Sequence, residues 1–318
     1  MTRGHLPRVV LAGRNNADRR RKRAGIRLRD FTISQKTKER YESAVARVLP
    51  FLEAQPNLDD LDSILVEWIE VQWVRGEPLT YIADCLSGLH FFWPDLRGLL
   101  RQAWRLFKSW RRIETPSRAP PMTVALAQAF VARAVAQHNL AFAALIAIGF
   151  HGLLRTGELL SLRFKDIEVS TMCGVVSLHE SKTGQRTGSK EAVALRDRLT
   201  LQLLETLVSV QSPSPGDLLW PHSAQSFRQT FRKMSDYFGV QALQLKPYSL
   251  RRGGATFLLQ SGTPLEVILL RGRWKSLGVA RLYLQDGLAQ LPALRLSKVV
   301  QRHVAGWAAE TPATAFRP

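Results

Sequence analysis

The chain has 318 residues, 45% of them hydrophobic, and its 45 Lys and Arg against 26 Asp and Glu leave a net charge of +19. That length gives about two domains with sizeable cores, and the charge points to a polyanionic partner, either nucleic acid or an anionic membrane surface. The longest apolar run, residues 140–150, is too short to span a bilayer, and two cysteines exclude a disulfide framework or a zinc site. Met1-Thr2-Arg3 leads into no apolar signal-peptide core, so a reducing compartment is expected. No HExxH or clustered-carboxylate motif calls for a metal.

Residues 1–29 are basic and lack apolar periodicity, with Arg19-Arg20-Arg21-Lys22-Arg23 at their centre. They read as a disordered, solvated arm, with a DNA-backbone arm or a nuclear import signal as the functional alternatives. From residue 31 to about 115 the pattern is one of four or five helices. Tyr41, Val45, Val48, Leu49 and Leu52 give one apolar face, on which Pro50 marks a kink or an early end. Leu61, Ile64, Leu65, Trp68 and Ile69 give another. A further helix is expected from Asp95, with Leu96, Leu99, Leu100, Ala103, Trp104, Phe107 and Trp110 at helical spacing. On a different face stand Arg97, Arg101, Arg105, Lys108 and Arg112. Five stacked cations repel one another. A solvated face mixes signs, so this ridge is expected to face phosphates.

Residues 116–121, with three prolines, form an extended linker and the best domain boundary. Residues 124–135 and 140–151 are apolar helices, and the break at Gly152 delivers Arg155 to the start of the next helix. There it either grips phosphate oxygens or pairs structurally with Glu158 or Asp166. Residues 175–180 and 192–195 read as a hairpin that carries Lys182 at its turn. Residues 197–210 and 226–238 are amphipathic helices, the second with Phe227, Phe231 and Met234 inward.

The stretch 246–285 divides into three short helices. The first, 251–260, stops at Ser261-Gly262. Thr263-Pro264-Leu265-Glu266 reads as a capping box with proline at the first helical position, and Gly272 as a left-handed stop. Ser276 opens the third, which places Tyr283 about two turns in. The polar residues left are Arg251, Arg252, Arg273, Trp274, Lys275 and Tyr283. Cations, an indole N–H and a phenol suit a site that holds a phosphate and attacks it. A last helix is expected over 296–307, with Leu296, Val299, Val300 and Val304 on one side.

Tyr248-Ser249-Leu250-Arg251, then Trp274, then Tyr283 nine residues on, follow Arg155-Thr156-Gly157-Glu158 and Ser181-Lys182-Thr183-Gly184. In order and spacing these motifs resemble those of the tyrosine recombinase, or phage integrase, family. The resemblance covers roughly residues 30–300. Tyr248 stands where the family usually has His, and Arg252 where a second histidine is frequent. The run Arg252-Gly253-Gly254-Ala255-Thr256 is similar to that of recombinases from eukaryotic mobile elements.

The resemblance implies a mainly α fold with a small antiparallel β-sheet, arranged as a two-domain DNA clamp. Residues 30–115 would be the helical core-binding domain, 122–300 the catalytic domain and 301–318 a C-terminal extension. It implies that Tyr283 attacks a DNA phosphodiester while Arg155 and Arg251 stabilise the oxygens and Lys182 protonates the leaving oxygen. Trp274 and Tyr248 would each donate a hydrogen bond. Arg97, Arg101, Arg105, Lys108, Arg112, Arg252, Arg273 and Lys275 would contact DNA. No cofactor or metal is implied. The partner is double-stranded DNA, bound by a homotetramer on two sites, with no membrane and no small-molecule cofactor. Residues 296–307 would pass to a neighbour or pack on their own domain. Localisation would be nuclear in a eukaryote and otherwise cytoplasmic, at the nucleoid. A catalytically impaired DNA-binding relative and a nicking–closing type IB topoisomerase are the alternatives.

Overall fold

The computed structural model describes residues 15–27, 32–54, 60–114, 118–178, 191–284 and 286–311. They fall into two compact units, Met1–Ser117 and Arg118–Pro318. Among the described residues no helix is long and apolar enough to cross a membrane.

The first unit is helical. The basic run is a short helix, α1 (Asn16–Arg23), rather than the unstructured arm expected from its composition. Asn15 caps it by accepting from the Asp18 N–H, and Asp18 pairs with Arg21 and Lys22 at 3.0 and 3.1 Å. Cations in its last turn also suit the helix dipole. The helices α2 (Gln35–Glu53), α3 (Leu61–Val74), α4 (Leu79–Phe92) and α5 (Arg101–Ile113) follow. Val48, Leu65, Ile69, Ile82, Leu86, Leu100 and Trp110 meet in their common core. Pro50 does not end α2, because only its last turn remains to be made there and the ring faces solvent.

Two expectations fail at α5. The helix begins at Arg101, six residues after Asp95, and Leu99 is 63% exposed instead of lying on the apolar stripe. Pro94 opens a separate 3-10 turn, and Gly98 takes a left-handed φ of 85° that no helix continues through. The start is then set from outside the segment. The Asp62 carboxylate on α3 accepts from the Gln102 and Ala103 N–H groups at 2.8 and 2.9 Å and acts as the missing N-cap. Arg97 therefore sits off the helix, while Arg101, Arg105, Lys108 and Arg112 remain exposed along one side of it.

The second unit is built around α7 (Leu140–His151), in which every residue from Phe142 to Phe150 is buried. Against it pack α6 (Val124–Ala136), α9 (Arg198–Gln211) and α11 (Tyr248–Gln260). Between α7 and α9 come the short α8 (Thr156–Leu160) and an antiparallel sheet ordered β1 (Ile167–Val169), β2 (Gly174–Leu178), β3 (Glu191–Leu195). Val176 faces Val193 across the expected hairpin, whose turn lies outside the described residues. Strand β1, three residues long, was not anticipated. The α10 helix (Ala224–Tyr237) buries Phe227, Phe231 and Met234 as predicted.

After α11 come α12 (Leu265–Gly272), α13 (Leu277–Ala280), α14 (Asp286–Ala289), α15 (Leu291–Arg295) and α16 (Lys298–Ala309). The α16 helix runs unbroken across residue 300 and packs on α6 of its own unit. Arg133 on α6 lies 4.3 Å from the Tyr237 ring and 5.3 Å from the Trp307 ring, and Val304 is buried beneath. Val299, expected on the packed side, is exposed instead.

Helix α11 approaches its neighbours closely because Gly253 and Gly254 have no side chains. A Cβ on Gly253 would stand 2.1 Å from the Met122 carbonyl oxygen, and one on Gly254 1.9 Å from that of Phe150. Gly254→Ala should therefore cost roughly 1–3 kcal/mol, as overpacking does. Gly306→Ala in α16, where an added methyl meets nothing within 4 Å, should add about 0.5–1 kcal/mol through helix propensity. Urea unfolding midpoints measure both, and a Gly254→Ala protein as stable as the parent would refute this packing.

Candidate active site

Several helices of the second unit end by turning left-handed at residues other than glycine, and two of these reversals shape the site. After α7 it is Leu153, at φ 49°, and after α12 it is Arg273, at φ 54°. Each reversal leaves backbone carbonyls without helical partners at the negative end of a helix dipole. Arg251 on α11 reaches both. Its Nη1 donates to the Leu153 carbonyl and its Nη2 to the Gly272 carbonyl at 2.5 Å. The side chain is fully buried, and burial, then the neighbouring Arg273 and Arg155, brings its pKa down to about 10. It stays charged at neutral pH.

Gly272 is thus not the left-handed stop expected of it. It is the last helical residue, and it must be glycine because the Trp274 ring would lie 2.2 Å from its Cβ. Nor does the capping box form. Pro264 takes the cap position itself with no side-chain bond, while the Thr263 N–H is used by the Leu258 carbonyl.

Arg155 is the residue before α8, and its backbone and guanidinium both donate to Glu158, at 2.9 and 2.5 Å. Arg273 donates at 2.6 Å to Glu158 Oε2, the oxygen that also accepts the Arg155 backbone N–H, and approaches Glu191 at 3.5 Å. Burial raises the Glu158 pKa, but Arg273 and Arg155 outweigh it and hold the carboxyl below its usual range. Arg273, expected to contact DNA, is instead mostly buried in this ion-pair cluster. Arg252 is corrected likewise. It is 2% exposed, and its guanidinium donates to the Ala119 carbonyl and, at 2.8 Å, to that of Leu282. Neither offers a free cation to solvent. Lys275 is exposed.

Tyr283 lies past a single-turn α13 rather than two turns into a helix. Ser276 caps α13 as predicted, and the Tyr283 N–H donates to the Ala280 carbonyl at 2.7 Å. The Tyr283 ring stands 4.6 Å from the Trp274 ring and 5.2 Å from the Arg251 guanidinium carbon. Its phenol oxygen accepts from the Tyr248 hydroxyl at 2.5 Å. Burial raises the Tyr283 pKa, yet the Tyr248 hydrogen bond, Arg251, the Trp274 N–H and Arg155 together bring it below the ordinary phenol value. Among the described residues the Trp274 N–H has no well-aligned hydrogen-bond partner, but it lies near enough to favour the phenolate. Tyr248 moves the other way, pushed up by burial and by its bond to Tyr283.

The structure brings Arg155, Tyr248, Arg251, Trp274 and Tyr283 together, while Lys182 falls outside the described residues. An adjoining groove of about 560 Å³ is lined by Thr156, Arg228, Arg232, Lys246 and Tyr248. Its cations were missed. The signal was there, since Arg228 and Arg232 lie four residues apart and each follows an inward phenylalanine.

Removing the Glu158 charge would strand two cations, one of them mostly buried. Glu158→Gln should cost about 3–5 kcal/mol, as breaking a buried pair does. A lowered native pKa contributes stability that is present above the unfolded value of 4.5 and lost as pH falls through the native one. The parent should thus lose stability below about pH 4.5 more steeply than the variant. Parallel acid profiles in thermal unfolding would contradict the pairing.

Residues 124–288, a little over half of the chain, match the model of the phage integrase family. Among solved structures, the chain is similar to a Tn1549 transposon integrase in complex with transposon right end DNA, at 14% identity and a TM-score of 0.63. That match covers 88% of this chain and 98% of the other. A XerH site-specific recombinase in a post-cleavage complex with a palindromic difH substrate matches at 16% identity and 0.56, covering 80% and 78%. A lambda integrase dimer bound to a COC′ core site matches at 17% and 0.56, covering 82% and 74%. At these identities the likeness is one of fold. No curated protein matches the chain.

Proposed function

The chain belongs to the phage integrase family, the tyrosine recombinases, and on that premise we propose that it is a site-specific DNA recombinase. It cleaves and rejoins strands through a 3′-phosphotyrosyl intermediate. The observation that carries the reading is the Tyr283 phenol, which accepts from Tyr248 and lies beside Arg251 and Trp274. A phenol is a weak nucleophile until its proton is lost, and these neighbours favour the phenolate.

Attack by Tyr283 forms an O–P bond and breaks the P–O5′ bond, leaving a 5′-hydroxyl. Arg155 and Arg251 stabilise the equatorial oxygens, at on the order of 10²–10³ in rate for each such donor. Trp274 donates its N–H but carries no proton through the reaction. Lys182 protonates the leaving oxygen, a role worth roughly 10²–10⁴. The phosphotyrosyl bond conserves the energy needed for rejoining. Double-stranded DNA is the substrate, bound as a homotetramer on two sites, with the exposed cations of α5 against its backbone.

A DNA-binding protein that does not cut is the second reading. The burial of Arg251 favours it, because both terminal nitrogens are occupied by carbonyls. A suicide substrate, nicked so that the released strand diffuses away, decides between them. The parent should trap a covalent adduct, and Tyr283→Phe should bind DNA equally and trap none. Tyr248→Phe should slow single-turnover adduct formation by about 10- to 10²-fold and move its pH profile upward, since Tyr283 loses the bond that favours its ionised form. A parent without adduct supports the second reading.

The ridge on α5 is tested separately. Reversing the charge of Arg101, Arg105 and Lys108 together should weaken binding to all sequences alike. The salt slope should flatten by about one unit per lost phosphate contact. Unchanged affinity at low salt would make the ridge an ordinary solvated surface.

A further inference from the structure

The side chains on one face of α11 that lead away from Tyr248 are polar: Arg252 and Thr256, buried in an apolar unit, and then Gln260, which is exposed. Arg252 and Thr256 are 2% and 1% exposed. Burying a cation is costly unless it is paired, and among the described residues no carboxylate forms a salt bridge with Arg252. Its guanidinium is spent on two backbone carbonyls, those of Ala119 and Leu282. The second belongs to the residue before Tyr283. One helical turn on, the Thr256 hydroxyl donates to the Tyr283 carbonyl at 3.3 Å. One turn further, Gln260 donates to the Asp286 carboxylate at 2.8 Å.

We propose that Arg252, Thr256 and Gln260 are positioning residues, which with Tyr248 form a ladder along α11 that sets the register of Leu282, Tyr283 and Asp286 and so the place of the Tyr283 phenol. The four side chains stand at steps of four residues, which aligns them on one helix face about 6 Å apart. Each rung takes a different acceptor, in the order phenol oxygen, carbonyl of 282, carbonyl of 283 and carboxylate of 286. A slip of one residue would unmake all four at once. Tyr283 and Leu284 also pack on the cluster that holds Leu258, Ile268 and Trp274. Apolar contact is non-directional, however, and Leu282 is 43% exposed, so the hydrogen bonds are what distinguish one register from the next. A displacement near 1 Å at a reacting group costs on the order of 10²-fold in rate, so the register decides whether the phenol is in line for attack. The inference rests on Tyr283 being the nucleophile.

The test reads position without needing turnover. Tyrosine labelled with ¹³C at Cζ gives five signals in the full chain, and Tyr283→Phe identifies the one that matters. Thr256→Val and Gln260→Leu remove rungs without changing any charge, and Arg252→Lys keeps the charge while losing the two-carbonyl grip. The ladder predicts that Thr256→Val moves the Tyr283 titration midpoint upward, away from Tyr248 and Arg251, and slows adduct formation about 10-fold or more. Affinity for DNA should stay within about twofold. Arg252→Lys should lie between the parent and Arg252→Met in both readouts. A midpoint that moves only in Arg252→Met would reduce the effect to lost charge and overturn the ladder. So would a slower Thr256→Val protein whose DNA affinity and melting temperature fall in step with its rate. A parent that forms no adduct, with a midpoint that still moves in Thr256→Val, would reject the nucleophile's chemistry and leave the positioning standing.

Discussion

The second unit depends on one buried cation. Arg251 is the largest fully buried side chain among the described residues, and its guanidinium joins the carbonyl ends of α7 and α12 through Leu153 and Gly272. Helix C-termini supply partial negative charge and unpaired carbonyls. Hydrogen bonds from a charged donor are worth about 1.5–3 kcal/mol each, which offsets part of the desolvation. Several local oddities follow from that bridge. Leu153 and Arg273 turn left-handed to present their carbonyls and side chains, and Gly254 lets α11 come within reach of α7. Gly272 makes room for the indole that lies against the same guanidinium.

The electrostatic consequence is an excess of positive charge in a confined place. Arg155 and Arg273 pair with Glu158, Arg251 feels its charge, and Glu191 approaches Arg273. One carboxylate and part of another do not balance three guanidinium groups, and the residual field favours an anion. Together with the Tyr248 hydrogen bond, it lowers the Tyr283 pKa against the effect of burial. Tyr248, where the resembled family has a histidine, donates a hydrogen bond to Tyr283, and burial together with that bond raises its own pKa. On the proposed function, the cations that would stabilise a phosphate also favour the ionised form of Tyr283.

Much of this was legible from spacing. The apolar faces of α2, α3 and α10, the apolar helix α7 and the helical cap at Ser276 follow from residue types and intervals, while the grouping of Arg155 and Tyr248 with Arg251, Trp274 and Tyr283 came from the family resemblance. What failed was set by contacts from distant parts of the chain. Asp62 caps α5, thirty-nine residues ahead of Arg101, so no local pattern could place its start. Arg252 and Arg273 read as surface cations although tertiary carbonyls and Glu158 absorb them, and Gly272, nearer at hand, reads as a stop but answers to the indole two residues on. Strand β1 is too short to show alternation. Sequence gives the inventory of charges, while burial decides which of them face a substrate.

The central claim is that Tyr283 performs metal-free transesterification in a field of arginines. Its most direct test is to digest the adduct trapped on a suicide substrate in excess chelator and locate the nucleotide by mass spectrometry. The account predicts a 3′-phosphate ester on the peptide that contains Tyr283, in undiminished yield. Attachment at another residue, or cleavage that needs added Mg²⁺ and leaves no protein-bound nucleotide, would contradict it.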